Sequence, residues 1–361
     1  MDSIAPFVGT DPLKAELHAF LSTHTDTNVL RHFLGTSFPF APLHLNDCAI
    51  VCLNLEWWQK EPHPTTEIGI AELHPTGIFP TVHAENILRE IRVAHARVME
   101  NAHLLNHFHG SGNPDVFHFG TTKFVCIEEA RDVLVNTFVR PSADGTMLQP
   151  IIFLAHDADK KFEHVKEKFG LDLLALGTIV KVIDTQTLAR QAGILGPKGP
   201  SISLPHLVEH FNITPQNLHT AGNDAGYTMI TAILSSLKND LYGHRPLAEA
   251  FGRPPAVVGS RNIQCVVEDL MKTNKSLPPP PWGYRLYCTR CDRINHVRSQ
   301  CFAKVWCEIC AHSGNAKLEK ACRTHMTERC VYNYQPLPRA SPEPKKEELR
   351  DEVERSVPES D

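Results

Sequence analysis

Seven of the chain's eleven cysteines crowd between Cys288 and Cys330. No other feature limits the fold as much, because so short a stretch holds too few apolar side chains for a core and must be built around sulfur. Cys288, Cys291, His296 and Cys301 stand as C-x2-C-x4-H-x4-C. A Cys-x2-Cys turn can aim two thiolates at one ion, and the histidine and third cysteine complete a tetrahedron of the kind Zn²⁺ takes. A second set follows in Cys307, Cys310, Cys322, His325 and Cys330. There the x2 spacing and the His-x4-Cys ending recur, so Cys307, Cys310, His325 and Cys330 are the expected ligands, with Cys322 competing for the third or fourth place. About two Zn²⁺ ions are therefore expected. The N-terminal MDSIAPFVGTDPLKAEL lacks a basic stretch followed by an apolar one, so secretion and a disulfide framework are not expected. The thiols are expected to hold metal in a reducing compartment, cytoplasm or nucleus.

The first set matches the CCHC zinc knuckle of retroviral nucleocapsid-like proteins without a gap. That resemblance implies binding of RNA or single-stranded DNA. The knuckle's interior glycine is missing, since the x4 stretch is Asp292–Asn295, so the resemblance carries the metal site further than the RNA-binding mode. Charge points the same way. Residues 282–334 hold nine Lys/Arg against four Asp/Glu, or +5. Each Zn²⁺ with three thiolates adds −1, leaving about +3 for two sites. Tyr284, Tyr287, Phe302 and Trp306 stand among these cations and are candidates to stack on unpaired bases. The whole chain has a net charge of −5, which argues against general coating of nucleic acid and leaves room for a local basic surface. A protein partner, docked through the zinc module or the C-terminal tail, is the competing use of such a module.

With 361 residues, 42% of them hydrophobic, the chain has room for a large α/β domain beside this module. Its longest apolar runs, such as Pro150–Ala155 and Gly177–Val180, are strand-length, so no membrane span is expected. Strands are predicted over Asp47–Trp57, Thr66–Leu73, Pro150–Ala155 and Thr178–Asp184. Helices are predicted over Asp11–Leu21, Glu85–Leu105, Ile127–Phe138, Asp159–Phe169, Leu204–Phe211 and Gly222–Leu237, with a short helical patch near Val266–Met271. This order predicts a three-layer α/β domain with a mixed sheet. The expected division is a leader (1–45), the α/β domain (46–240), a linker (241–281) ending in the stiff Pro278–Pro281 run, the zinc module (282–334) and a disordered tail (335–361).

A strand presents residues i and i+2 on one face, so Asn54 and Glu56 of VCLNLE share a side. Paired acidic residues at such positions are what a two-metal phosphodiesterase needs. The pattern resembles the DEDDh family of 3′–5′ exonucleases, whose fold is RNase H-like. The family's D-x-E reads Asn54-Leu55-Glu56 here, and its E-x-G reads Glu67-Ile68-Gly69. Its second motif is similar to Ala155-His156-Asp157 and the residues after it. Its H-x4-D is matched by His219 through Asp224. The run HTAGNDAGYT further resembles a fungal RNase H-like group, the Gfd-type proteins. The resemblance covers about residues 46–240 and implies a site of Asn54, Glu56, Asp157 or Asp159, His219 and Asp224, with Mg²⁺ or Mn²⁺ if active. It also implies two losses. The metal-bridging Asp is Asn54, which keeps an oxygen but no charge. Counted five residues from His156, the motif-two Asp falls on Lys161, unless the helix starts differently and Asp157 or Asp159 takes its place. A binding protein with a degenerate centre is expected, and an active metal-dependent exonuclease is the alternative. His107, His109 and His118, around a glycine loop, are read as loop and surface residues.

Overall fold

The computed structural model describes residues 12–74, 79–142, 145, 147–243 and 262–337. In chain order the elements are α1 (Pro12–Ser22), α2 (Asp26–Phe33), β1 (Ala49–Trp57), β2 (Thr65–Leu73), α3 (Glu85–Leu88), β3 (Arg92–Val98), β4 (Lys123–Val125), α4 (Ile127–Phe138), β5 (Ile151–Ala155), α5 (Ala158–Phe169), β6 (Ile179–Asp184) and α6 (Thr185–Gln191). They continue with α7 (Leu204–His210), α8 (Ala221–Ser236), α9 (Lys238–Tyr242), α10 (Ile263–Ser276), α11 (Glu308–Ala311) and α12 (Ala316–Ala321).

One sheet organises the large domain, with strand order β4-β3-β2-β1-β5-β6. Strand β2 runs antiparallel to β1 and β3, while the β1–β5, β5–β6 and β3–β4 pairs are parallel. The central strand reads AIVCLNL, buried throughout, because both faces of the sheet are covered. Ile50 and Cys52 belong to the core under α1, α2, α8 and α10, whereas Val51, Leu53 and Leu55 belong to the core under α4 and α5. This is the mixed-sheet, three-layer RNase H-like fold.

Helix α8 is buried over its whole length, between the sheet and an outer shell of helices. Its approach to the sheet needs Gly69, where a Cβ atom would lie 1.9 Å from the Ala221 carbonyl oxygen. That requirement is a physical reason for the glycine of the E-x-G segment, and it brings the first turn of α8 to the end of β1.

The predicted helix over Glu85–Leu105 is overturned beyond its first turn. Arg92–Val98 is strand β3, hydrogen-bonded between β2 and β4. The Ala- and Arg-rich segment favours helix by only tenths of a kcal/mol per residue, which two ladders of backbone hydrogen bonds outweigh. The stretch expected as a linker includes α10, whose Val266, Val267 and Leu270 are buried in the main core, as are Leu17 and Leu21 of the expected leader. Residues 1–11, 244–261 and the tail from 338 lie outside the described residues.

The cysteine-rich segment sits on the edge strand β4. Phe124 and Tyr284 exchange backbone hydrogen bonds of 2.8 Å, and Tyr287 is buried against Phe124 and Ala102. Among the described residues, no helix is long and apolar enough to cross a membrane.

Candidate active site and metal centres

The end of β1 and the start of α8 bring Glu56, His219 and Asp224 together, with one ligand atom from each lying within 4.8 Å of the others. His219 takes a left-handed backbone, φ 60°, and its N–H donates to Asp224 Oδ1 at 3.1 Å. Glu67 stands opposite Glu56 across the β1–β2 ladder, accepting from Ala221 N at 3.1 Å and lying 3.0 Å from His95 Nε2. Crowded carboxylates away from water resist ionisation. Burial, and then repulsion from Glu67, push Glu56 up to about 7. Burial, and then Glu56, hold Asp224 well above the usual carboxylate range.

The cationic side chain that acts on both carboxyls is Lys161. The side chain is buried on α5, its Nζ 3.5 Å from the Leu55 carbonyl oxygen and 5.5 Å from the centre of the Trp57 ring. Burial draws its pKa down, while Glu56 and then Asp224 pull it up. The opening of α5 decides this placement. Asp184 Oδ2 accepts from Asp157 N at 2.9 Å and Ala158 N at 3.1 Å, which starts the helix at Ala158. One turn on, the buried Lys161 lies within electrostatic reach of Glu56 and Asp224 without forming an ion pair with either. Asp157 instead pairs with Lys160, and Asp159 is exposed on the helix, so neither joins Glu56 and Asp224. Asn54 is buried beside them, and its Nδ2 has no hydrogen-bond partner among the described residues. His219 is exposed, partial desolvation by its surroundings lowers its pKa, and its ring meets Phe108 edge-on.

A loop the sequence reading left as surface covers this centre. Residues 104–114 run across it, with Gly112 so close that a Cβ would lie 2.3 Å from the His219 carbonyl oxygen. Asn217 fastens the loop, accepting from Asn113 N and donating to the Asn113 oxygen, both at 2.8 Å. The cleft left over Glu56, Glu67 and His219 has a volume of ≈ 20 Å³, about that of one water. His107 and His109, on this loop, are exposed. The signal for a lid was present in GSGNP, whose glycine permits the close approach.

Residues 49–235, just over half of the chain, match the DEDDh_C family model, described as "DNA polymerase III subunit epsilon-like, C-terminal domain". The chain belongs to this family. The DEDDh domain is also similar to E. coli Exonuclease I. A complex with a dT13 oligonucleotide shares 14% identity over 54% of this chain and 42% of that one, with a TM-score of 0.34. A zinc-bound ExoI–ssDNA complex from E. coli shares 14% over 55% and 41%, at 0.35. An ExoI/SSB-Ct complex shares 12% over 54% and 42%, at 0.32. The chain thus spans about two fifths of the length of these structures. No curated protein matches it.

The DEDDh centre is a poor donor set for two hard divalent ions. Such ions need several anionic oxygens. Here the carboxyls of Glu56 and Asp224 resist ionisation, that of Glu67 is engaged by Ala221 N and His95, and the positions beside them hold an amide, Asn54, and an amine, Lys161.

The cysteine clusters fit their metal. Donor atoms of Cys288, Cys291, His296 and Cys301 lie within 4.8 Å of one another, as do those of Cys307, Cys310, His325 and Cys330. Cys291 Sγ is 3.4 Å from His296 Nε2 and 3.5 Å from Cys301 Sγ; Cys310 Sγ is 3.7 Å from both His325 Nε2 and Cys330 Sγ. Tetrahedral Zn²⁺ with Zn–S near 2.3 Å has edges of roughly 3.5–3.8 Å, so these are the spacings of ligands around one ion. Cys322 is buried next to the second set but outside it, and its carbonyl oxygen accepts from Cys307 N at 2.8 Å. Arg329 joins the two sets to each other and to the DEDDh domain. It binds Asp292 through Nε and Nη2 at 2.9 Å each, and donates to the Glu100 carbonyl oxygen at 3.0 Å. Of the aromatic residues expected to stack on bases, Tyr287 is excluded by burial, since its ring fills the seam with Phe124. Tyr284, Phe302 and Trp306 are exposed.

Proposed function

We propose that this protein binds RNA or single-stranded DNA through its zinc module and DEDDh domain, and that its exonuclease centre is degenerate. The observation that carries this reading is the buried Lys161 beside Glu56 and Asp224. An ammonium there supplies as an internal counter-ion the positive charge that a metal would otherwise bring, and it repels any cation that approaches. The lid over the centre supports the same reading, because a terminal nucleotide does not fit ≈ 20 Å³. In the zinc module, two Zn²⁺ held by Cys288, Cys291, His296 and Cys301, and by Cys307, Cys310, His325 and Cys330, would supply the folding energy that its small core lacks. The functional units proposed are the DEDDh domain over 46–240 and the zinc module over 282–334. The HTAGNDAGYT run supports placement with the fungal Gfd-type proteins.

One observation favours an active exonuclease instead: His219 does lie beside Glu56 and Asp224, where a general base would stand. Incubation of the zinc-loaded protein with 3′-labelled RNA and DNA oligonucleotides, in millimolar Mg²⁺ or Mn²⁺, decides between them. The expected result is retained binding with no shortening from the 3′ end. Metal-dependent 3′–5′ degradation that disappears in His219→Ala would overturn the proposal.

A further inference from the structure

We propose that the strand binds in the groove between the zinc module and the edge of the sheet, and not in the old acidic centre. This rests on the nucleic-acid reading above and assigns it a place. The groove has a volume of ≈ 1180 Å³, against ≈ 20 Å³ over Glu56 and His219. Sites that enclose small organic ligands start at about 300 Å³, so of these two spaces the groove is the one with room for nucleotides.

Its walls suit a polyanion with flat apolar bases. Arg97, Arg285, Arg298 and Arg329 line it, and Asp115 is the one carboxylate among the described lining residues. Two of these arginines are already paired, Arg97 with Asp115 and Arg329 with Asp292. The other two carry uncompensated charge. Arg298 donates only to the carbonyl oxygens of Thr289 and Thr324, at 3.4 and 3.2 Å, which are neutral. Arg285 is exposed and makes no ion pair among the described residues. Between the cations stand the half-buried ring of Tyr332 and the buried ring of Phe124, which Tyr287 and Arg97 already contact. Cations alternating with aromatic faces are what holds an unpaired phosphodiester chain, the cations on phosphates and the rings on bases. An apolar peptide would leave Arg285 and Arg298 unsatisfied.

The lid loop separates the two spaces. Leu105, itself exposed, lines both the small cleft and the groove. The loop that closes the acidic centre thus forms one wall of the proposed binding path. Cys310, His325 and Cys330 line the opposite wall, which makes the second zinc site part of the groove's frame.

Fluorescence anisotropy with labelled dT and U dodecamers, on the full zinc-loaded chain over a series of salt concentrations, tests the assignment. Single strands show a log–log salt slope of roughly −0.7 per phosphate neutralised, so Arg285→Ala with Arg298→Ala should flatten the slope by about 1.4. Arg298→Lys keeps the charge, and Arg285→Glu leaves the Thr289 and Thr324 contacts intact; the first should preserve the slope and the second should weaken binding. Glu56→Gln and His219→Ala, in the acidic centre, should leave affinity unchanged. The groove assignment is overturned if the arginine variants bind as wild type while the acidic-centre variants, or Phe302→Ala with Trp306→Ala alone, abolish binding. If wild-type protein binds neither dodecamer at low salt, the nucleic-acid reading itself fails.

Discussion

Replacing Glu56 with glutamine keeps the shape of the acidic centre and removes one of its three carboxyls, the half-buried one. In the folded protein this group titrates at about 7 instead of an ordinary 4.5, first because it is buried and then because Glu67 faces it. The folded state therefore holds the proton more tightly than the unfolded chain does. By linkage, that contribution to stability is complete below about pH 4.5, shrinks as pH rises, and is gone above about pH 7. A gap of about 2.5 pH units, at about 1.4 kcal/mol each, makes the full effect about 3 kcal/mol. Glu56→Gln should match the wild type near pH 4.5 and exceed its stability by up to about 3 kcal/mol near pH 8. Urea unfolding followed by circular dichroism across this range measures both curves. Millimolar Mg²⁺ should alter neither. Parallel curves for the two proteins would refute the reasoning, because Glu56 would then ionise normally.

Native mass spectrometry should find two zinc ions in the wild type, two in Cys322→Ser and one in Cys310→Ser; loss of an ion from Cys322→Ser would put Cys322 among the ligands. Gly69→Ala forces a Cβ to within 1.9 Å of the Ala221 oxygen and should destabilise the DEDDh domain by about 3 kcal/mol or more in urea unfolding. Wild-type stability in that variant would contradict the close seating of α8 on the sheet.

What was legible in the sequence follows from which physics acts locally. Strands β1, β2, β5 and β6 are short apolar runs bounded by turns, and both cysteine sets carry their spacing within one segment, so each shows itself in a window of a few residues. The place of Lys161 was readable by counting from His156. Its commitment to that place was not, because it depends on Asp184, at the end of another strand, capping α5. Strand β3 has helix-favouring residues and exists through its partners. The lid over Glu56 depends on Asn113 meeting Asn217, a contact between loops far apart in the chain. Helix α10 was expected as a short patch near Val266–Met271, and its full length and its docking on the core depend on partners outside that window. Each miss involves a partner distant in sequence.

The central claim is that Lys161 does the electrostatic work of a metal, leaving the DEDDh centre without one. Titration calorimetry with Mn²⁺ tests it directly, using zinc-loaded wild type beside the Asn54→Asp/Lys161→Asp double variant, which regains two carboxylates. No Mn²⁺ uptake by the wild type and clear uptake by the double variant is the expected result. Stoichiometric uptake by the wild type, abolished by Glu56→Gln, would contradict the account.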